Sequence, residues 1–201
     1  MAHSFKDILE RARLGGTKRL VIPCPEEKDV LLLSEASAAR LTSPCFVGDK
    51  DAIKNIVDES PLAEKEYEIV KENDPQLALS RALEILHGHD GDILMQGGIP
   101  AQMVLHALHD KSRGMLPKGS IMSFVSVFPL LKGEKLILVT DTYINSHPSV
   151  AEKQQILTNC LKLARILGIE APKVAVLAAI EQVNPGIPST LSAAILSKMS
   201  E

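Results

Sequence analysis

The nine residues Asp92-Ile-Leu-Met-Gln-Gly-Gly-Ile-Pro100 pass from a short apolar strand through a Gly-Gly turn into the start of a helix. That handover is half of a βα unit, and working outward from it the same grammar recurs. Short apolar runs at Arg19 to Pro23, Pro44 to Gly48, Tyr67 to Val70, Ile121 to Leu130, Lys135 to Thr140 and Lys173 to Ala179 are separated by longer stretches of helical character. Several of these runs are apolar nearly throughout, as strands covered on both sides must be. The expected fold class is therefore α/β: a three-layer, mostly parallel sheet with helices on both faces. Leu131-Lys132-Gly133-Glu134 leaves no room for a helix between two of the runs, so an antiparallel hairpin is expected there.

Helix ends are written locally. Asp74-Pro75 places a capping carboxylate before a proline at the first helical position, and Leu77, Leu79, Ala82, Leu83 and Leu86 follow at helical spacing. Ser149 and Glu152 have the spacing of a capping box, after which Ile156, Leu157, Cys160, Leu161, Ala164 and Leu167 form one apolar stripe that stops at Gly168.

Composition narrows the function. The chain has 201 residues, 45% apolar and 23% charged, which is ordinary for a globular protein. No apolar run approaches the roughly 18 residues of a spanning helix. The start carries Lys6, Asp7, Glu10 and Arg11 among its apolar residues, unlike a signal peptide, so the expected location is cytoplasmic, without a membrane partner. A net charge of -3, scattered basic residues and 3% aromatics give no footprint for nucleic acid. Cys24, Cys45 and Cys160 are odd in number and unpaired in spacing, and read as small buried hydrophobes. His106 and His109 could share a helix face, but they lack a third ligand, so no metal site is expected. His87 and His89 read as helix-end residues, and His147, before Pro148, lies beside a candidate loop.

Ligands of an open parallel sheet bind beyond the carboxyl ends of its strands, and three loops qualify. In Gln96-Gly97-Gly98-Ile99-Pro100, Gly97 and Gly98 would let backbone approach a ligand and open a helix start suited to an anion, or would simply connect two elements. In the loop Thr140 to Asn145, Asp141 and Asn145 would position a polar ligand or hold the turn. In the third, Glu181 to Pro185 with Pro188-Ser189-Thr190, Asn184 and Ser189 would contact substrate, with helix capping the other role open to Ser189. No catalytic triad, Walker loop or dinucleotide fingerprint is present.

Three passages carry a further likeness: Gly133-Glu-Lys-Leu-Ile-Leu-Val-Thr-Asp-Thr-Tyr-Ile-Asn145, Pro172-Lys-Val-Ala-Val-Leu-Ala-Ala-Ile-Glu-Gln-Val-Asn-Pro185 and Ser189-Thr-Leu-Ser-Ala-Ala-Ile-Leu-Ser-Lys-Met199. From Asp92 onward the chain resembles the phosphate acetyltransferase/butyryltransferase family, nearer the butyryl branch. The resemblance implies a scaffold like that of the isocitrate/isopropylmalate dehydrogenases, with a first α/β domain over 1–146 and an incomplete second domain over 147–201. It implies transfer of a short acyl group between coenzyme A and phosphate, with coenzyme A as substrate and no separate cofactor, in a homo-oligomer. A non-catalytic acyl-CoA or phosphate-binding remnant is the alternative reading. The family's thiol-activating Asp and oxyanion-stabilising Ser are expected beyond Glu201, so no catalytic residue is assigned. Two departures stand out: butyryl-branch relatives tend to carry Lys where this chain has Gln96, and some members carry His-Thr where it has Pro100-Ala101.

Overall fold

A computed structural model of the chain describes residues 4–62, 66–110, 114–130 and 135–199. The chain packs as two units, Leu9–Lys118 and Gly119–Glu201, the second together with the residues through Ile8. Helix α1, Phe5–Leu14, spans that division at its amino end.

The first unit contains β1 (Lys18–Pro23), α2 (Glu27–Ala38), β2 (Thr42–Gly48), α3 (Lys50–Asp58), β3 (Glu68–Lys71), α4 (Pro75–His87), β4 (Ile93–Leu94) and α5 (Ala101–His109). Its four strands are all parallel, in the order β3-β2-β1-β4. Side chains alternate across the sheet and sort the core into two layers. Leu20, Ile22 and Phe46 meet Val30, Leu33, Ile53 and Val57 of α2 and α3 on one face. Val21, Cys45 and Val47 meet Ala78, Ala82, Leu83 and Leu86 of α4 on the other. Strands buried on both faces cannot alternate apolar with polar residues, which explains the continuous apolar runs.

Asp74 caps α4 as expected, its Oδ1 accepting from the N–H groups of Gln76 and Leu77 at 2.9 Å each. At the amino ends of the strands, Asp92 accepts from the Arg19 N–H at 2.8 Å, and the Arg19 guanidinium donates to the Asp90 carbonyl at 2.6 Å and to Glu68 at 2.7 Å. This ties β1, β3 and the start of β4 together at the edge opposite the carboxyl ends of the strands. Burial pushes up the thiols of Cys24, Cys45 and Cys160, with the Asp74 charge adding at Cys24 and Arg19 opposing at Cys45. None is poised as a thiolate; of the three expected to be buried, Cys45 is, while Cys24 and Cys160 are half-buried.

In the second unit, β5 (Val125–Pro129) and β6 (Leu136–Thr140) pair antiparallel, and α6 (Val150–Ile166) and α7 (Pro188–Met199) follow. The expected hairpin is present; its turn, 131–134, lies outside the described residues. Ser149 and Glu152 make the capping box at the head of α6, with hydrogen bonds of 2.7 and 3.3 Å.

The packing divides after Lys118, whereas the family resemblance implies a domain boundary at 146/147. The reason is that the segment before β5 is bonded to α6: Asn159 Nδ2 donates to the Ile121 carbonyl and to Ser123 Oγ at 3.1 Å, and Gln155 Oε1 accepts from the Ile121 N–H at 3.2 Å. One expectation is corrected: the run Lys173 to Ala179 forms no strand. It has no ladder partner among the described residues, and Val174 and Leu177 are 51% and 84% exposed. A strand exists only when neighbours take its N–H and C=O groups, which apolar composition cannot supply.

Candidate functional site

Strand order locates the site in the first unit. From β1 the chain proceeds outward through β2 to β3, then returns to place β4 on the other side of β1, so the topological switch point lies between β1 and β4. The loops leaving those two strands carry Cys24 and Gly97-Gly98. They are in direct contact: the Gly98 N–H donates to the Cys24 carbonyl at 2.7 Å. Gly97 has φ +63, and a Cβ there would lie 2.2 Å from the Pro23 carbonyl oxygen. A Cβ on Gly98 would lie 2.9 Å from the Cys24 carbonyl oxygen and 3.1 Å from Glu26 Cγ. The glycines are thus required first by the close passage of two backbones.

The helix starts along this edge differ in what covers them. Asp49 caps α3 through the N–H groups of Asp51 and Ala52, Asp74 caps α4, and α2 opens on Glu26, whose N–H is taken by Asp29 at 2.9 Å. Helix α5 has Pro100 at its cap and no capping side chain. The Met103 and Val104 N–H groups close its first turn on the Pro100 carbonyl at 2.9 and 3.3 Å, and the positive end of the helix dipole lies next to the Gly97-Gly98 loop. Gln96, where butyryl-branch relatives tend to carry Lys, donates its amide to the Ile99 carbonyl at 2.7 Å and so fixes the loop. An open cleft of about 880 Å³ between α4 and α5, over Leu79, Leu83, Met103 and Ala107, contains none of the candidate residues.

Asp141 and Asn145 lie together in the second unit. Asp141 Oδ1 accepts from the Tyr143 and Ile144 N–H groups at 3.0 Å each, and Oδ2 accepts from Asn145 Nδ2 at 2.6 Å. The same Asn145 amide donates to the Met122 carbonyl at 2.8 Å. Both side chains therefore hold the loop in shape. Burial works against ionisation of Asp141, but the N–H groups of Tyr143 and Ile144, the Asn145 amide and the Phe124 backbone outweigh it and hold the carboxyl below its ordinary range. A depressed folded-state value means that the stabilisation is fully present above the unfolded value of about 4 and is lost as pH falls through the lower one. Thermal melts between about pH 7 and pH 3 should accordingly show a steeper acid decline for the natural chain than for Asp141→Asn, which cannot titrate. Parallel declines would refute this role.

At the third loop, Asn184 Oδ1 accepts from the Gly186 N–H at 2.8 Å. Thr190, 3% exposed, organises the turn: its Oγ1 accepts from the Asn184 N–H at 2.9 Å and has the Asn184 and Ile187 carbonyls at 2.9 and 2.8 Å, one of which takes its single proton. Ser189 lies inside the first turn of α7, after Pro188, so the capping expected of it is corrected: its neighbour Thr190 ties the loop to the helix. Thr190 belongs to the Pro188-Ser189-Thr190 helix start expected from the sequence, but its recruitment by the Asn184-Pro185-Gly186 turn is visible only in the folded chain. His147 is exposed beside the Asp141 loop.

The family described as "Phosphate acetyl/butaryl transferase" matches residues 72–201, which include all three loops. The chain belongs to this family. Among its relatives, a phosphate butyryltransferase of Clostridium acetobutylicum is 34% identical over 202 residues, covering 100% of this chain and 67% of its own length. Another of Clostridium beijerinckii is 31% identical, with the same coverage. A phosphotransacetylase structure from Streptococcus pyogenes superposes with a TM-score of 0.72 at 14% identity, covering 98% of this chain and 70% of that one, and supports the fold. The chain thus spans about two thirds of the length of the relatives it matches. As a member of an acyltransferase family it is an enzyme by kinship, and the binding-remnant alternative is not favoured. No helix among the described residues is long and apolar enough to cross a membrane.

Proposed function

We propose that the chain carries the phosphate acyltransferase reaction of its family on a short acyl group, nearer butyryl than acetyl. The observation that supports this most is the family match, because it runs through the Gly97-Gly98, Asp141 and Asn184 loops together. In the reaction the coenzyme A sulfur attacks the acyl phosphate carbonyl carbon. A C–S bond forms, the C–O bond to phosphate breaks, the thiol proton passes to a base, and phosphate leaves with the electron pair. A thiolate is the nucleophilic form, and a phosphate leaving group needs fixed donors. The positive end of the α5 dipole is the feature of this chain suited to such a role, while Asp141 and Asn145 keep their loop rigid. Coenzyme A is a substrate here, no separate cofactor is invoked, and no catalytic base is assigned. A cytoplasmic homo-oligomer without nucleic-acid partners completes the proposal.

The test is thioester formation from acetyl and butyryl phosphate with coenzyme A, followed by absorbance, in this chain and in one extended to the length of its relatives. Turnover with a preference for butyryl phosphate is expected in the extended protein. Its inactivity with both acyl phosphates would overturn the reading.

A further inference from the structure

The acyltransfer reading makes no use of the cleft between α4 and α5, whose shape is that of a groove between two helices. Leu79 and Leu83 of α4 and Met103 and Ala107 of α5 form its floor, each pair one helical turn apart. Its lining runs from Gln76 to His87 along α4, about 16 Å at the rise of an α-helix. Both helices run back from the carboxyl ends of parallel strands, so Glu84 and Asp110 put negative charge on both rims at one end of the groove, where the helix dipoles add to it. Helix α1 contributes nothing to this lining but has the complementary surface. Phe5, Ile8, Leu9 and Ala12 recur along it as one apolar stripe; no residue of the helix is buried, and Phe5 and Leu9 are 46% and 47% exposed. At helical spacing Lys6 and Arg13 border the stripe on one side and Arg11 on the other, while Asp7 and Glu10 lie on the far side. Its 10 residues make α1 about 15 Å long, close to the length of the groove.

We propose that α1 of a second copy of this chain docks in the groove between α4 and α5, in a reciprocal exchange between two copies. The inference rests on the homo-oligomer part of the proposed function, to which it gives an interface, and not on the acyl transfer itself. Ridges with the same four-residue repeat, Phe5-Leu9 and Ile8-Ala12, enter between the Leu79-Leu83 and Met103-Ala107 rows. Charge sets the direction. The basic last turn of α1, with Arg11 and Arg13, lies at the Glu84 and Asp110 end, and Asp7 lies toward the amino ends of α4 and α5, where the dipoles are positive. A second copy is the occupant because one sequence supplies stripe and groove in equal number, and exchange about a two-fold axis covers both stripes and fills both grooves.

The test is analytical ultracentrifugation of the full chain over the micromolar range, where the natural chain should be dimeric. Leu9→Glu would set a carboxylate on the apolar floor and should raise the dimer dissociation constant by about tenfold or more. Its thermal melt should stay within a few degrees of the natural chain's, because Leu9 is not part of the buried core. Glu84→Arg, and Arg11→Glu together with Arg13→Glu, should each weaken the dimer about three- to tenfold, with the effect shrinking as salt is raised. Combining all three changes in one chain should bring the constant back to within about threefold of the natural one, a restoration that a purely structural role for these residues would not produce. A dimer held within about twofold by Leu9→Glu, or charge changes whose losses add instead of cancelling, would overturn the exchange and leave the homo-oligomer reading standing. A natural chain that is monomeric throughout the range would overturn both. Thioester formation by the extended protein tests the acyltransfer reading separately.

Discussion

Gly97→Val should remove most of the stability of the first unit. The substituted Cβ would stand 2.2 Å from the Pro23 carbonyl oxygen and 3.0 Å from Ile22 Cγ2, in a residue held at φ +63. The obstructing atom at 2.2 Å is backbone at the end of a central strand, so it cannot turn aside as a side chain would. A branched residue in the left-handed region adds about 1–2 kcal/mol of its own. Together these place the expected loss above about 4 kcal/mol, a large part of the roughly 5–15 kcal/mol that holds a domain together. Urea and thermal denaturation followed by circular dichroism would register it. Gly97→Ala, with the same Cβ and no branching, should lose less but still be clearly destabilised. A Gly97→Val chain melting within a few degrees of the natural one would refute the close-passage explanation.

Phe46→Ala should come next in size. Phe46 is fully buried in the middle of β2, and it joins the layer containing Ile22, Val30, Leu33 and Ile53. Its ring also lies 5.8 Å from that of Tyr67, at a tilt of 48°. Truncation removes the transfer energy of the ring and leaves a cavity between α2, α3 and the sheet, with a cost of about 3–5 kcal/mol. Substitution by Leu, which fills more of the space, should recover a good part of this. The check is the urea midpoint of the three chains: an alanine variant within about 1 kcal/mol of the natural chain would mean that the site collapses around the smaller residue.

How much of this could be read from sequence depends on how far apart the interacting groups are. The caps of α4 and α6 were legible because a capping side chain and the N–H it covers lie two or three residues apart. The two-sided burial of β1 and β2 was legible in their unbroken apolar runs. The Asp141 loop was half legible. Its residue types fit both turn and ligand roles, and only the 2.6 Å bond to Asn145, with the Met122 carbonyl behind it, showed the side chains engaged in holding the turn. Ser189 and Thr190 are adjacent hydroxyls at one helix start, and spacing could not show that Thr190 folds back on Asn184.

By itself, the sequence determined the helices with their caps, the hairpin and the family, because periodicity, caps and motif residues are local in the chain. The tertiary structure decided the strand order β3-β2-β1-β4, and with it the switch point that brings Glu26 beside Gly98. It also decided that Gly97 serves a backbone passage, that the segment before β5 is bonded to α6, and that residues 173–179 find no ladder. Apolar periodicity tells each strand which of its faces to bury, but the hydrogen-bonding groups that choose its neighbour are the same in every residue except proline, so partners are fixed only when the whole layer assembles.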